Sequence, residues 1–173
     1  MFEINYKIEV IDILLNEDCI LTRYYPLIHY KCTLIINLKK AGCFTKAACQ
    51  EISDDDLLKM GLPDSELVSL FRKFLAMYDI ENAKLKEIAS VSTSPEERDS
   101  FIELYHLPGV KSTRAKLYYI AGFKTLIDIA TSTQEQIISR TSAVIEKGCL
   151  ELKAPLPKEV RTHIAVAKAF TCE

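Results

Sequence analysis

The sequence predicts an all-α protein built from two similar multi-helix units. Three observations predict it. Chain breakers are scarce, with five Gly and six Pro in 173 residues, fewer than the turn-rich sequence of an all-β chain needs. The chain also agrees with itself at an offset of 80 residues: LKKAGCFTKAACQEISDDDLL (38–58) lies on YYIAGFKTLIDIATSTQEQII (118–138) without a gap. Finally, two amphipathic segments, LPDSELVSLFRKFLAMY (62–78) and LPKEVRTHIAVAKAF (156–170), each open on Leu-Pro with a charged first turn, the signature of a helix start.

Taken in order, the N-terminal segment reads two ways. Phe2, Ile4, Tyr6, Ile8 and Val10 alternate as in a strand, whereas Ile4, Ile8, Ile11 and Leu15 recur as on a helix. A strand has no evident partner here, so a helix is preferred. In the first copy, Ala41-Gly42 ends a helix, because glycine accepts the positive φ of a C-cap. A short apolar helix follows that turn, and Ser53 caps the next with Asp56 three residues on. The three carboxylates at 54–56 complement that helix's dipole. The Ser/Thr-rich stretch 90–94 is the expected boundary, giving units 1–90 and 91–173.

Ser94-Pro95-Glu96-Glu97 starts the next helix, with Phe101, Ile102, Leu104 and Tyr105 as its apolar positions. In the second copy Ala121-Gly122 repeats the turn, Thr133 and Gln136 form a capping box, and Gly148 ends that helix. The second copy carries extra residues, SAVIEKGCLELKAP (142–155), before its Leu-Pro-led C-terminal helix.

Composition bounds the function. Apolar residues make up 49% and charged residues 27%, an ordinary globular balance. The net charge of −2 divides into −5 for residues 1–100 and +3 for 101–173, so only the C-terminal part attracts a polyanion. Six Cys, at 19, 32, 43, 49, 149 and 172, show no Cys-x-x-Cys spacing. They read as free thiols of a cytoplasmic protein, Cys172 being the one expected to be exposed. No signal peptide and no membrane-length apolar run is visible.

Residues 107–130, LPGVKSTRAKLYYIAGFKTLIDIA, resemble a helix-hairpin-helix unit. Leu107, Pro108, Gly109 and Val110 match its apolar-Pro-Gly-apolar hairpin, and Ala115 stands where close helix packing needs a small side chain. The resemblance implies sequence-nonspecific DNA binding, in which backbone N–H groups at the turn bond a phosphate. Basic residues of the following helix would add attraction. It therefore implies a phosphate-contacting set of Pro108, Gly109, Val110, Lys111, Thr113, Arg114 and Lys116, with Lys124 near. Lys111 replaces the usual second hairpin glycine, where its side chain either obstructs the phosphate or pairs with it. In the first copy Leu27, Ile28, His29, Tyr30 and Lys31 occupy the same register without a glycine, so that degenerate hairpin is expected to serve packing.

Over residues 102–170 the chain is similar to a bacterial domain-of-unknown-function family with tandem helix-hairpin-helix-like units. The similarity lies in the Ala-Gly-apolar-x-Thr turn and the Leu-Pro-led final helix. ISDDDLLKMGLPDSELVSLFRKFLAM (52–77) resembles the last two helices of a sterile-alpha-motif domain, which implies protein–protein contact. The lost hairpin glycines and the acidic first half make a protein-interaction or structural module without nucleic-acid binding the alternative function.

Other chemistries find little support. His29, His106 and His163 lack metal-ligand spacing and read as isolated surface or partly buried residues. The pairs Tyr24-Tyr25 and Tyr118-Tyr119 are each expected to put one ring in the core. No nucleophile–base spacing or phosphate loop appears, so the sequence predicts a non-enzyme with no metal, cofactor or small-molecule substrate.

Overall fold

The computed structural model describes residues 1–18, 20–148 and 151–171. Among them lie twelve α-helices and one 3-10 turn, with no strand. The chain divides into two compact units, one of Glu3–Tyr78 and one running from Asp79 onward, which Met1 and Phe2 join. Segment 90–94 falls inside the second unit. From Asp79 the chain holds 13 Lys+Arg and 13 Asp+Glu, a net charge of zero.

The first unit comprises α1 (Ile8–Leu14), a 3-10 turn at Thr22–Tyr24, α2 (Tyr25–Ile28), α3 (Lys31–Lys40), α4 (Lys46–Gln50), α5 (Asp54–Lys59) and α6 (Ser65–Ala76). The N-terminal ambiguity resolves both ways. A helix forms, but it starts at Ile8. The residues before it are extended and find single-bridge partners, Lys7 opposite Thr45 and Phe2 opposite Ile80. Around Lys7 the bridge is closed by Ile8 N–H to the Phe44 carbonyl and Lys46 N–H to the Tyr6 carbonyl, each 2.9 Å.

α1 packs on α3, while α6 receives α2, α4 and α5. Val68, Phe71 and Leu75 of α6 recur at helical spacing and are buried with Leu34, Leu38 and Leu57. Each such Leu or Phe contributes about 1.5–3 kcal/mol through burial. Asp64 caps α6, accepting from Leu67 N–H at 2.9 Å, so Pro63 precedes the cap instead of occupying the first turn. Arg72 of α6 braces the α4–α5 junction, donating to the Gln50 and Ile52 carbonyls and to the Asp54 carboxylate at 3.3, 2.6 and 2.8 Å.

The second unit comprises α7 (Asn82–Val91), α8 (Pro95–Leu104), α9 (Ser112–Ile120), α10 (Leu126–Ala130), α11 (Gln134–Glu146) and α12 (Pro157–Thr171). Ser94 caps α8, accepting from Glu97 N–H at 3.1 Å, with Pro95 as its first residue. Gly122, at φ +95°, follows α9, and Thr125 and Thr133 cap α10 and α11 with complete capping boxes. α12 lies against α10 and α11, its Val166, Ala167 and Ala169 fully buried. Small side chains there let the helices approach closely. One tyrosine of each pair is in the core, Tyr24 and Tyr118, as the spacing predicts.

Cys32 is exposed, whereas burial pushes the Cys49 thiol up to about 12, aided by Cys43 nearby. Cys49 is therefore an unreactive packing residue at neutral pH. The exposure expected of Cys172 lies outside the described residues.

Candidate functional site

The residues expected to form a hairpin in the second unit, Leu107–Lys111, make the turn between α8 and α9. Leu107 and Val110 are buried and anchor it, so Val110 offers its backbone but not its side chain to a ligand. Pro108 is half-buried, and Gly109, Lys111 and Thr113 are exposed. Gly109 takes φ +74°, a conformation other residues adopt only with strain. Among the described residues nothing lies within 4 Å of where its Cβ would stand, so the backbone here is open to an approaching group.

Val110 N–H bonds the Leu107 carbonyl at 3.2 Å, closing the turn. By contrast, the N–H groups of Gly109, Lys111, Ser112 and Thr113 have no partner among the described residues. Lys111 is the N-cap residue of α9 and supplies no side-chain cap. Its ammonium forms no ion pair among the described residues.

Arg114, Lys116 and Lys124, the other cations of the predicted set, are engaged. Arg114 forms a two-point pair with Glu159 of α12, Nε to Oε1 at 3.0 Å and Nη2 to Oε2 at 3.5 Å, and also donates to the Lys153 carbonyl. Lys116 pairs with Glu97 of α8 at 2.5 Å. Glu97 is almost fully buried and also accepts from Thr93, through its backbone N–H at 3.3 Å and through its hydroxyl. Burial pushes the Glu97 carboxyl up, but the hydrogen bonds from Lys116 and Thr93 outweigh it and hold the group below its ordinary value. Lys124 pairs with Glu96 at 3.2 Å.

His163, one turn beyond Glu159 on α12, is fully buried, where its isolation in sequence suggests a surface or partly buried residue. Its Nε2 lies 2.8 Å from the Pro108 carbonyl and its Nδ1 2.7 Å from the Tyr118 hydroxyl. A carbonyl only accepts, so Nε2 carries the proton and Nδ1 accepts from Tyr118. Burial holds the imidazole below its ordinary pKa, against the raising effects of the Pro108 carbonyl and Glu159. One neutral ring thereby joins the turn, α9 and α12. Beside it lies a shallow cleft of about 290 Å³ lined by Pro108, Leu156, Lys158, Glu159, Thr162 and His163. His106 is also buried, its Nδ1 3.1 Å from the Glu103 carbonyl, between the rings of Phe2 and Phe170.

Glu159, Glu97 and His163 all escape the sequence reading as partners of the hairpin helix. Glu97 reads locally as a helix-start acid, which it also is. Glu159 and His163 each meet residues 45 positions away, and no local pattern signals that. In the first unit the residue in register with Lys111 is Lys31. Its ammonium is taken up by the Asp12 and Leu15 carbonyls and the Asp12 carboxylate at 3.1–3.3 Å.

Among the described residues no group of three His, Cys, Asp or Glu is placed to hold a metal ion. No helix among them is long and apolar enough to cross a membrane. No family model, curated protein or solved structure matches the chain.

Proposed function

We propose that the second unit is a sequence-nonspecific DNA-binding module that holds a backbone phosphate on the turn Pro108–Thr113. The observation that carries this reading is the run of unoccupied N–H groups at Gly109, Lys111, Ser112 and Thr113, set at the start of α9 beside an open glycine. Such donors at a positive helix end suit a phosphate. Lys111 adds a cation that forms no ion pair among the described residues. Arg114 and Lys116 act as braces of the turn's helix, and contribute to phosphate only where their carboxylate partners release them.

The same reading makes the two units products of one duplication. α4 and α10 begin 80 positions apart, each behind a capping Thr and a positive-φ glycine, Gly42 at +79° and Gly122 at +95°. The hairpin survives with its glycine in the second copy alone. The resemblance to a bacterial domain family with tandem helix-hairpin-helix-like units, and a cytoplasmic setting, belong to this proposal.

Fluorescence anisotropy of the full chain with labelled duplex, single-stranded and branched DNA tests it, at low and at near-physiological salt. The expected result is binding indifferent to base sequence that weakens with salt. Lys111→Glu is expected to weaken it and to reduce the logarithmic salt slope by about one. Absence of binding to every DNA at low salt overturns the reading.

A protein-docking module is the second reading. The consumed charges of Arg114 and Lys116 and the net charge of zero from Asp79 onward favour it, together with the exposed Ile127 and Leu156 at 61% and 70%. It predicts no DNA binding at any salt concentration.

A further inference from the structure

We propose that the exposed face of α12 is a second backbone-contacting surface, on which Lys158, Arg161 and Lys168 follow the phosphates of a DNA strand beyond the turn. The inference rests on the phosphate reading for its ligand, and it extends the contact from one turn to a track.

The charge pattern of α12 carries it. Lys158, Arg161 and Lys168 are exposed and form no ion pair among the described residues. At about 100° per residue they fall within about 80° of one another around the helix. The helix has one acid, Glu159, and Arg114 holds it at 3.0 Å. The face is therefore basic, with no free carboxylate on its own helix. The other helices of the unit mix their signs. In α7, Lys84 has Glu81 and Glu87 three residues to either side, and in α8 Arg98 stands among Glu96, Glu97 and Asp99. With no net charge from Asp79 onward, attraction for a polyanion must come from such a local concentration.

The placement of these cations runs against what helix stability favours. Pro157 begins α12, so Lys158 is its second residue and Arg161 its fifth. Both stand near the positive end of the dipole, where an acid is stabilising. They are also three residues apart, where like charges repel. α6, the other Leu-Pro-led helix, follows the ordinary rule: Asp64 stands where α12 has Lys158, and Glu66 follows in its first turn. An anion from outside the chain relieves both strains on α12.

The face joins the turn. Pro108 lines the same cleft of about 290 Å³ as Lys158 and Thr162, and His163 Nε2 donates to the Pro108 carbonyl at 2.8 Å. From Lys158 to Lys168 the helix rises about 15 Å, which spans about four phosphates of one strand at an axial spacing of ~3.4 Å.

The experiment measures anisotropy of labelled duplex DNA with the full chain across a range of salt. It compares the parent, Lys111→Glu, the triple variant Lys158→Gln/Arg161→Gln/Lys168→Gln, and a control, Lys84→Gln/Lys86→Gln/Arg98→Gln, that removes the same charge elsewhere in the unit. The α12 variant is expected to bind more weakly and to reduce the logarithmic salt slope by about two to three, while the control keeps the parent slope. An α12 variant that matches the parent overturns the track and leaves the phosphate reading to stand on Lys111→Glu. Equal loss in the control overturns the track as well, since charge anywhere in the unit then serves. Loss in the α12 variant with Lys111→Glu unchanged upholds the face and overturns the turn as the phosphate site.

A parent that binds no DNA overturns the phosphate reading and the track together, and its binding to phosphatidylserine vesicles instead would give the face to a membrane. Lysine acetylation of the parent protein keeps the track falsifiable if the triple variant does not fold. Bound duplex is expected to protect Lys158 and Lys168 and to leave Lys84 and Lys86 reactive. Lys158 and Lys168 that react equally with and without DNA overturn the track.

Discussion

At the scale of single residues, the cations beside the hairpin divide by what their partners cost to expose. Glu97 is a buried carboxylate whose charge Lys116 neutralises. Removing the lysine leaves an uncompensated buried charge, which costs more than removing both groups. Lys116→Met is therefore expected to destabilise the second unit by about 2–3 kcal/mol. The double variant Lys116→Met/Glu97→Gln is expected to lose less, a pattern that urea denaturation reads directly. Arg114 differs, because Glu159 is only partly buried and the pair is open to competition. On the phosphate reading, Glu159→Gln frees Arg114. DNA affinity should then rise and the salt slope steepen by about one, even as stability falls slightly. An unchanged slope would mean that Arg114 never reaches the phosphate.

Among the elements, what was legible in the sequence is what chemistry places within four residues. The helix starts at Ser53, Ser94 and Thr133 were readable because a cap and its N–H donor are three positions apart. The C-terminal turns at Gly122 and Gly148 were readable because positive φ selects glycine. The N-terminal strand-or-helix ambiguity was not resolvable locally, since the bridges that hold Phe2 and Lys7 extended come from Ile80 and Thr45. Within the candidate site the same rule holds. The turn and its glycine were visible, while the engagement of Arg114 by Glu159 and the burial of His163 depend on α12, which lies 45 residues further along.

The local signals make a graded prediction. Thr125→Ala breaks a complete capping box and should cost about 1–2 kcal/mol, whereas Ser53→Ala, where only one cap bond is made, should cost about 0.5–1 kcal/mol. Gly109→Ala meets no steric obstacle, so its cost should be the backbone strain alone, about 1–2 kcal/mol. Thermal or urea unfolding of each variant ranks them, and equal costs for Thr125 and Ser53 would contradict the capping account.

For the molecule as a whole, the buried titratable groups set a pH window of stability. His106 and His163 are both held below the ordinary histidine value of 6.5, first by burial. Below 6.5 the unfolded chain therefore binds protons that the folded chain refuses, and stability rises with pH across that interval. Their contribution is complete above 6.5 and is lost progressively as pH falls, at up to about 1.4 kcal/mol per pH unit for each ring that stays neutral in the fold. Glu97 acts in the same direction at lower pH, losing its contribution as pH drops below 4.5 toward its depressed folded value.

At the alkaline end the sign reverses. Burial raises Cys49 from 9.0 to about 12 and Tyr105 from 10.0 to about 12, and raises Tyr118 as well. The folded chain then keeps protons that the unfolded chain releases, so stability declines as pH rises past 9. The expected profile of urea midpoint against pH is a plateau between 6.5 and 9 with a loss on either side. His163→Gln should shallow the acid limb near pH 6 without touching the alkaline one, and Cys49→Ala, whatever it costs in packing, should delay the alkaline limb. A midpoint that stays level from pH 7 down to pH 5 would show that the histidines protonate equally in the folded and unfolded chains. The neutral Tyr118–His163–Pro108 bridge would then not be what holds the hairpin.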